Sequence, residues 1–315
     1  MARAYQQGLH ELGDSLYAYL QPDGGWGWSN AGLVCDGEHA LLIDTLFDRR
    51  LTERMLSDMR RSIPAAARID TLVNTHANGD HCYGNELVSG ARIVASKRTA
   101  TEMAELPPSA FAALLRQAPN LGEVGQFFLR CFGQFDFDGI ELVLPTETFE
   151  AELTLRVGAK EVRLIEVGPA HTRGDTLALL PAERVLYSGD ILFHGAHPIA
   201  WAGPVSNWIN ACDRILAMDV EVIVPGHGPL AGKPAVVELK AYFEYLYAQA
   251  RECHAAGMDP VQAARSISLD RWAEWGERER LAVNLATIFR ELSADTESPN
   301  ALIAFQQMAE LAAED

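Results

Sequence analysis

The stretch "VNTHANGDHCYGN", Val73 to Asn85, ends an apolar strand-like run and then sets His76, Asn78, Asp80 and His81 within six residues. Side chains of this kind just past the end of an apolar strand are a recurrent way to hold a ligand in an α/β fold, because the strand fixes them and the loop leaves them open. The architecture therefore turns on what flanks this segment.

Upstream lie the strand-like runs "SLYAYL" (Ser15 to Leu20), "AGLVC" ending at Cys35 and "ALLID" ending at Asp44; downstream is "RIVAS", ending at Ser96. Between Asp44 and the quoted stretch, Leu51, Met55, Leu56 and Met59 recur at helical spacing until Pro64 stops the run. The second half repeats the pattern: "ELTLRV", "VRLIEV", "TLALLP" and "RVLYS" read as strands, "SNWINACDRILAMD" as a helix, and "VEVIVPGHG" as a further strand. Strands alternating with covering helices in both halves predict an α/β layered sandwich. Two segments fall outside this rhythm. Residues from about 106 to 138 read as two short inserted helices, a place where substrate contacts are often carried. Residues 233–315 read as a helical extension to a main domain of residues 1–232, and packing is its expected role.

The chain has 315 residues, 48% of them hydrophobic, enough for one large core with an appendage. Its five cysteines are widely spaced and form no CxxC pair, so neither a disulfide framework nor a thiolate zinc knuckle is expected. A reducing, cytoplasmic location fits this usage, and no run approaches the roughly 20 apolar residues of a membrane span. With 26 basic against 43 acidic residues the formal net charge is −17, which disfavours nucleic acid as a partner. The expected partner is a small-molecule substrate, with self-association left open.

Four polar clusters sit at predicted strand ends: His76, Asp80 and His81; His171 in "AHTRGD"; Asp190 after "VLYSG"; and His227 in "VPGHGP". Any one of them is compatible with an ordinary surface histidine. Together they resemble the metallo-β-lactamase superfamily, whose signature runs Thr-His-x-His-x-Asp-His followed by a distant His, Asp and His. The resemblance extends from about Tyr17 to Pro229 and includes "SNAGLV" and "ALLIDT". It implies a four-layer αββα sandwich with metal between the sheets. By position, His76, residue 78 and His171 would hold one metal, Asp80, His81 and His227 a second, and Asp190 would bridge.

Asn78 departs from that signature. An imidazole is a good nitrogen donor to zinc, whereas an amide nitrogen has no free lone pair and an amide oxygen is a weak, hard ligand. The first site thus loses affinity, while Asp80, His81, Asp190 and His227 remain. One tightly held Zn²⁺ is expected, with iron or manganese as alternatives. His76 and His171, released from strong coordination, become acid–base candidates beside Asp80.

Asn78 itself is a substrate-binding candidate, or else bonds only its own loop. Trp26 and Trp28, in the "GGWGWSN" loop, are candidates for an apolar wall, with hairpin anchoring as the alternative. His194 and His197 follow Asp190 closely and are candidates for the cleft, or else solvated or capping residues.

The function expected is a zinc-dependent hydrolase of a small apolar or uncharged molecule, cleaving an ester, lactone, amide or thioester or acting by hydrolytic dehalogenation. An iron-dependent sulfur or oxygen redox enzyme of the same fold, and a non-catalytic binder with a degenerate centre, are the alternative readings.

Overall fold

The computed structural model describes residues 5–88, 90–295 and 300–314. The first four residues of the N-terminal stretch and the last residue of the helical extension lie outside the described residues, as do 296–299 within that extension.

Two sheets carry the molecule. In the first, β1 (Gly8–Gly13), β2 (Leu16–Leu20), β3 (Ala31–Asp36) and β4 (His39–Ile43) run as an antiparallel meander. It continues in parallel through β5 (Thr71–Val73), β6 (Arg92–Ser96) and β7 (Glu147–Phe149). The second has the order β12-β11-β10-β9-β8, from β8 (Glu152–Val157), β9 (Lys160–Glu166), β10 (Thr176–Leu180), β11 (Val185–Phe193) and β12 (Val222–His227). Only β11 and β12 pair in parallel there.

Inner-face residues of both sheets, among them Leu16, Val34, Ile43, Val73, Leu164, Ala178 and Tyr187, form one buried cluster. The sheets approach so closely at Gly32 that a Cβ there would collide with the Tyr187 ring. Tyr187 also donates its hydroxyl proton to the Tyr17 carbonyl (3.0 Å), tying the layers together.

Helices cover the outer faces. The crossover from β4 to β5 is α1 (Arg49–Ser62), which starts where the Asp48 carboxylate accepts from Leu51 N–H (2.7 Å) and carries Arg60 and Arg61 in its last turn. Leu51, Met55, Leu56 and Met59 form its buried stripe, at the spacing that the sequence displays. The short α2 (Gly79–Cys82) follows β5, and α3 (Lys97–Met103) follows β6. Then come the inserted helices α4 (Pro108–Gln117) and α5 (Gly122–Phe132), joined by a short 3₁₀ turn, before the chain returns to β7. On the second sheet α6 (Val205–Ala217) makes the crossover from β11 to β12, completing the αββα sandwich. The C-terminal helices are α7 (Lys233–Ala255), α8 (Pro260–Ser266), α9 (Leu281–Leu292) and α10 (Ala301–Ala312). Among the described residues no helix is long and apolar enough to cross a membrane, and all five cysteines are free.

Candidate metal centre

Each polar cluster is delivered to one point by a different element. β5 ends at Val73, so His76 leaves in the following loop and Asp80 and His81 occupy the single turn of α2. His171 lies in the loop between β9 and β10, and His227 is the last residue of β12. Asp190 was expected just beyond a strand, but β11 continues to Phe193 and Asp190 sits inside it, next to a break in register at Gly189. Gly189 has φ +49°, and a Cβ there would come within 2.6 Å of Thr75 Oγ1; both facts favour glycine. A Cβ on Gly226, in the neighbouring strand, would overlap the Asp190 carboxylate.

The six side chains are all buried. Asp190 Oδ2 lies 3.2 Å from His171 Nε2, 3.5 Å from His227 Nε2 and 3.7 Å from His76 Nε2, while its Oδ1 lies 3.1 Å from His81 Nε2. Asp80 Oδ2 is 3.2 Å from His227 Nε2 and 3.9 Å from His81 Nε2. Two groups of donors result, His76 with His171 and Asp190, and Asp80 with His81 and His227.

All four imidazoles are oriented the same way by the groups behind them. His171 Nδ1 donates to Ile199 O (2.6 Å), His227 Nδ1 to Gly24 O (3.1 Å) and His81 Nδ1 to Asp44 Oδ2 (2.9 Å). Thr75 gives its hydroxyl proton to Asp44 Oδ2 (2.7 Å) and so accepts from His76 Nδ1 (3.0 Å). With Nδ1 committed outward, every Nε2 lone pair faces the centre, as metal-binding histidines require. Nε2 of His76 and of His81 and Oδ1 of Asp190 are buried without a hydrogen-bond partner. Buried lone pairs converging on carboxylates call for a cation between them, and imidazole with carboxylate is a donor set that suits zinc. The residues therefore fit a metal.

The same proximity shapes how these groups titrate. Burial, which disfavours the carboxylate, is outweighed at Asp190 by His227, His81, His76 and His171, which hold it well below its ordinary range. Burial and the neighbouring His81 depress His76, and burial depresses His171. At His81 the penalty of burial is overcome by Asp190, Asp80 and Asp44, so its pKa is raised. Asp175 accepts from Thr172 N–H and hydroxyl and so braces the His171 loop; burial pushes its carboxyl up to about 8.

Asn78 Nδ2 lies 3.0 Å from His171 Nε2. Since His171 spends its own proton on Ile199, the amide donates to the lone pair that a metal would otherwise take.

The centre opens into a cavity of about 610 Å³. Trp26 lines it, with its ring 5.6 Å from Phe132 and 6.4 Å from Phe305 between centroids. Asn78, Asp80, His171, Asp190 and His227 face the same space. Trp28 does not line it; it packs against Phe135 at 5.1 Å. Nor do His194, bonded to Pro229 O (3.0 Å), or His197, buried against the Tyr242 hydroxyl (3.2 Å). Both lie beyond the end of β11 and turn to other partners, His194 to the loop after β12 and His197 to α7. The helical extension, expected only to pack, contributes Arg280, Thr287 and Phe305 to the wall. Sequence reasoning also missed Asp44, although it follows an apolar strand just as the candidate ligands do.

A family model described as "Metallo-beta-lactamase superfamily" matches residues 24–227. Among curated proteins, the 2,4-dinitroanisole O-demethylase subunit alpha of Nocardioides sp. is 31% identical over 131 residues, 41% of this chain and 37% of that one. The acyl-coenzyme A thioesterase MBLAC2 of Bos taurus is 24% identical over 258 residues, 76% of this chain and 86% of that one. Among solved structures, the stereoselective inverting sec-alkylsulfatase Pisa1 from Pseudomonas sp. superposes with a TM-score of 0.68 at 17% identity, over 94% of this chain and 51% of that one. At that identity the likeness is one of fold.

Proposed function

The chain belongs to the metallo-β-lactamase superfamily, and on that premise we propose that it is a zinc-dependent hydrolase of a small molecule with a large apolar part. The observation that carries the proposal is the set of four histidines whose Nδ1 atoms are all engaged outward and whose Nε2 atoms converge on Asp80 and Asp190. Asp80, His81, His227 and Asp190 would hold the tight ion; His76 and His171 would hold a second one weakly. When bound, zinc supplies Lewis acidity, polarising an electrophile and acidifying a water.

The chain's own groups do the rest. In the resting site Asn78 Nδ2 occupies the Nε2 lone pair of His171 and keeps the ring, locked by Ile199 O, turned into the cavity; when the amide turns to the substrate, Nε2 becomes a proton acceptor. His76 presents a second basic Nε2, aligned through Thr75. A proton taken at either atom can be returned to a departing group, the reciprocal role of general acid–base catalysis. The aromatic wall of Trp26, Phe132 and Phe305 excludes water and accepts the apolar part of the substrate. By their names the two curated relatives are an O-demethylase and an acyl-coenzyme A thioesterase. That spread supports hydrolytic chemistry without favouring one scissile bond.

Metal analysis joined to a panel of aryl esters, thioesters, lactones, alkyl sulfates and haloaromatics tests the proposal. About one tight zinc per chain and turnover of at least one class are expected. Asn78→His should add a second tight equivalent by completing a three-histidine set with His76 and His171. Two tight equivalents in the unaltered protein would overturn the one-ion reading, and no turnover of any class by the zinc-loaded protein would overturn the hydrolase.

A further inference from the structure

Arg280 is 2% exposed, yet it lines the cavity of the metal centre. Its Cζ lies 4.2 Å from the Trp26 ring centroid and 5.4 Å from that of Phe193. Phe193 in turn stacks on His227, with the rings 5.2 Å apart and within 4° of parallel. The guanidinium thus stands one aromatic ring away from a metal-ligand histidine.

Its partners are too few for a buried cation. Nη1 donates to His197 O (2.9 Å), Nε is buried without an acceptor, and no carboxylate among the described residues makes an ion pair with it. The adjacent Glu279 instead accepts from Trp26 Nε1 (2.8 Å). The other cations of the cavity wall are answered: Arg173 by Glu102 and Glu105, while Arg290 has Asp295 nearby. A cation–π contact offsets only part of the cost of burying a charge, and a planar guanidinium has more N–H donors than one carbonyl can use.

We infer that Arg280 is the anion-recognition residue of this site, and that the substrate is an amphiphile carrying a compact oxyanion, a carboxylate or a sulfate, beside its apolar part and apart from the bond that is cleaved. The inference rests on the hydrolase reading for its setting and replaces the expectation of an uncharged substrate. Arg280 supplies the charge-assisted hydrogen bonds, and Trp26, Phe132 and Phe305 receive the chain.

The test is equilibrium binding of octanoate, octane-1-sulfonate (the non-hydrolysable counterpart of an alkyl sulfate) and octanol to the zinc-loaded protein, read by the fluorescence of the cavity tryptophans Trp26 and Trp201 or by calorimetry. At least one of the two anions should bind about 10-fold or more tightly than octanol, as a charge-assisted contact implies. The stronger of the two identifies the preferred oxyanion. Arg280→Gln should reduce that preference to about 2-fold or less, and Arg280→Lys should restore part of it. Equal affinity of all three ligands for the unaltered protein overturns the inference without any variant. So does an anion preference that survives in folded Arg280→Gln, because the anion would then lie on the metal centre. None of these ligands offers an ester to cleave, so a failed hydrolysis panel would remove the hydrolase while leaving this result to stand or fall separately.

Discussion

The floor of the cavity takes its side chains from strands and loops of the sandwich, among them Asn78, Asp80, His171, Asp190 and His227, whereas its wall joins Trp26, the inserted helices and residues 280–305 of the extension. Floor residues are fixed twice, by the element that carries them and by a hydrogen bond behind each ring. Wall residues are fixed mainly by packing against one another, with one hydrogen bond from Trp26 to Glu279. The difference teaches that chemistry and selectivity are separable here: one depends on oriented lone pairs, the other on shape.

The sharpest way to break the contrast is to remove a floor ligand. Asp190→Ala and His227→Ala should each lose most bound zinc and lower turnover by about 10³-fold or more, measured by metal analysis and kcat. Either variant with full metal and full activity would take the floor out of the mechanism. His171→Ala sharpens the division within the floor: kcat should fall about 10²-fold while the tight ion stays. Parallel loss of metal and activity would make His171 a ligand of that ion. The wall should respond least and differently. Phe305→Ala is expected to raise KM for long apolar substrates about 10-fold and to leave metal content and kcat in place. A fall in kcat with unchanged KM would mean that the wall acts on the chemistry after all.

What could be read from the sequence follows the same line. His76, Asp80, His81, His171 and His227 stood out because apolar runs with strand spacing end just before them, and a strand end is a local signal. Asp190 was visible by type but not by setting, since the bulge at Gly189 depends on how β11 pairs with β12. Asp44 carries the same signal as the proposed ligands, and only the fold shows that it points behind the site, at His81 and Thr75. Trp26 and Trp28 were equivalent as letters; only the fold turns one into the cavity and the other onto Phe135. His194 and His197 looked close because they are close in sequence. Arg280 and Phe305 had no local signal, since their place depends on long-range packing of the extension.

The hydrogen bond from Trp26 Nε1 to Glu279 Oε1 closes a loop of 253 residues. Contacts of such separation form late, because the chain entropy of closing so large a loop must be lost before any contact energy is returned. Every proposed metal ligand lies at or before His227, so a growing polypeptide exposes that whole set from the ribosome before Glu279 emerges. Translation thus delivers the proposed ligands ahead of the residues that complete the wall.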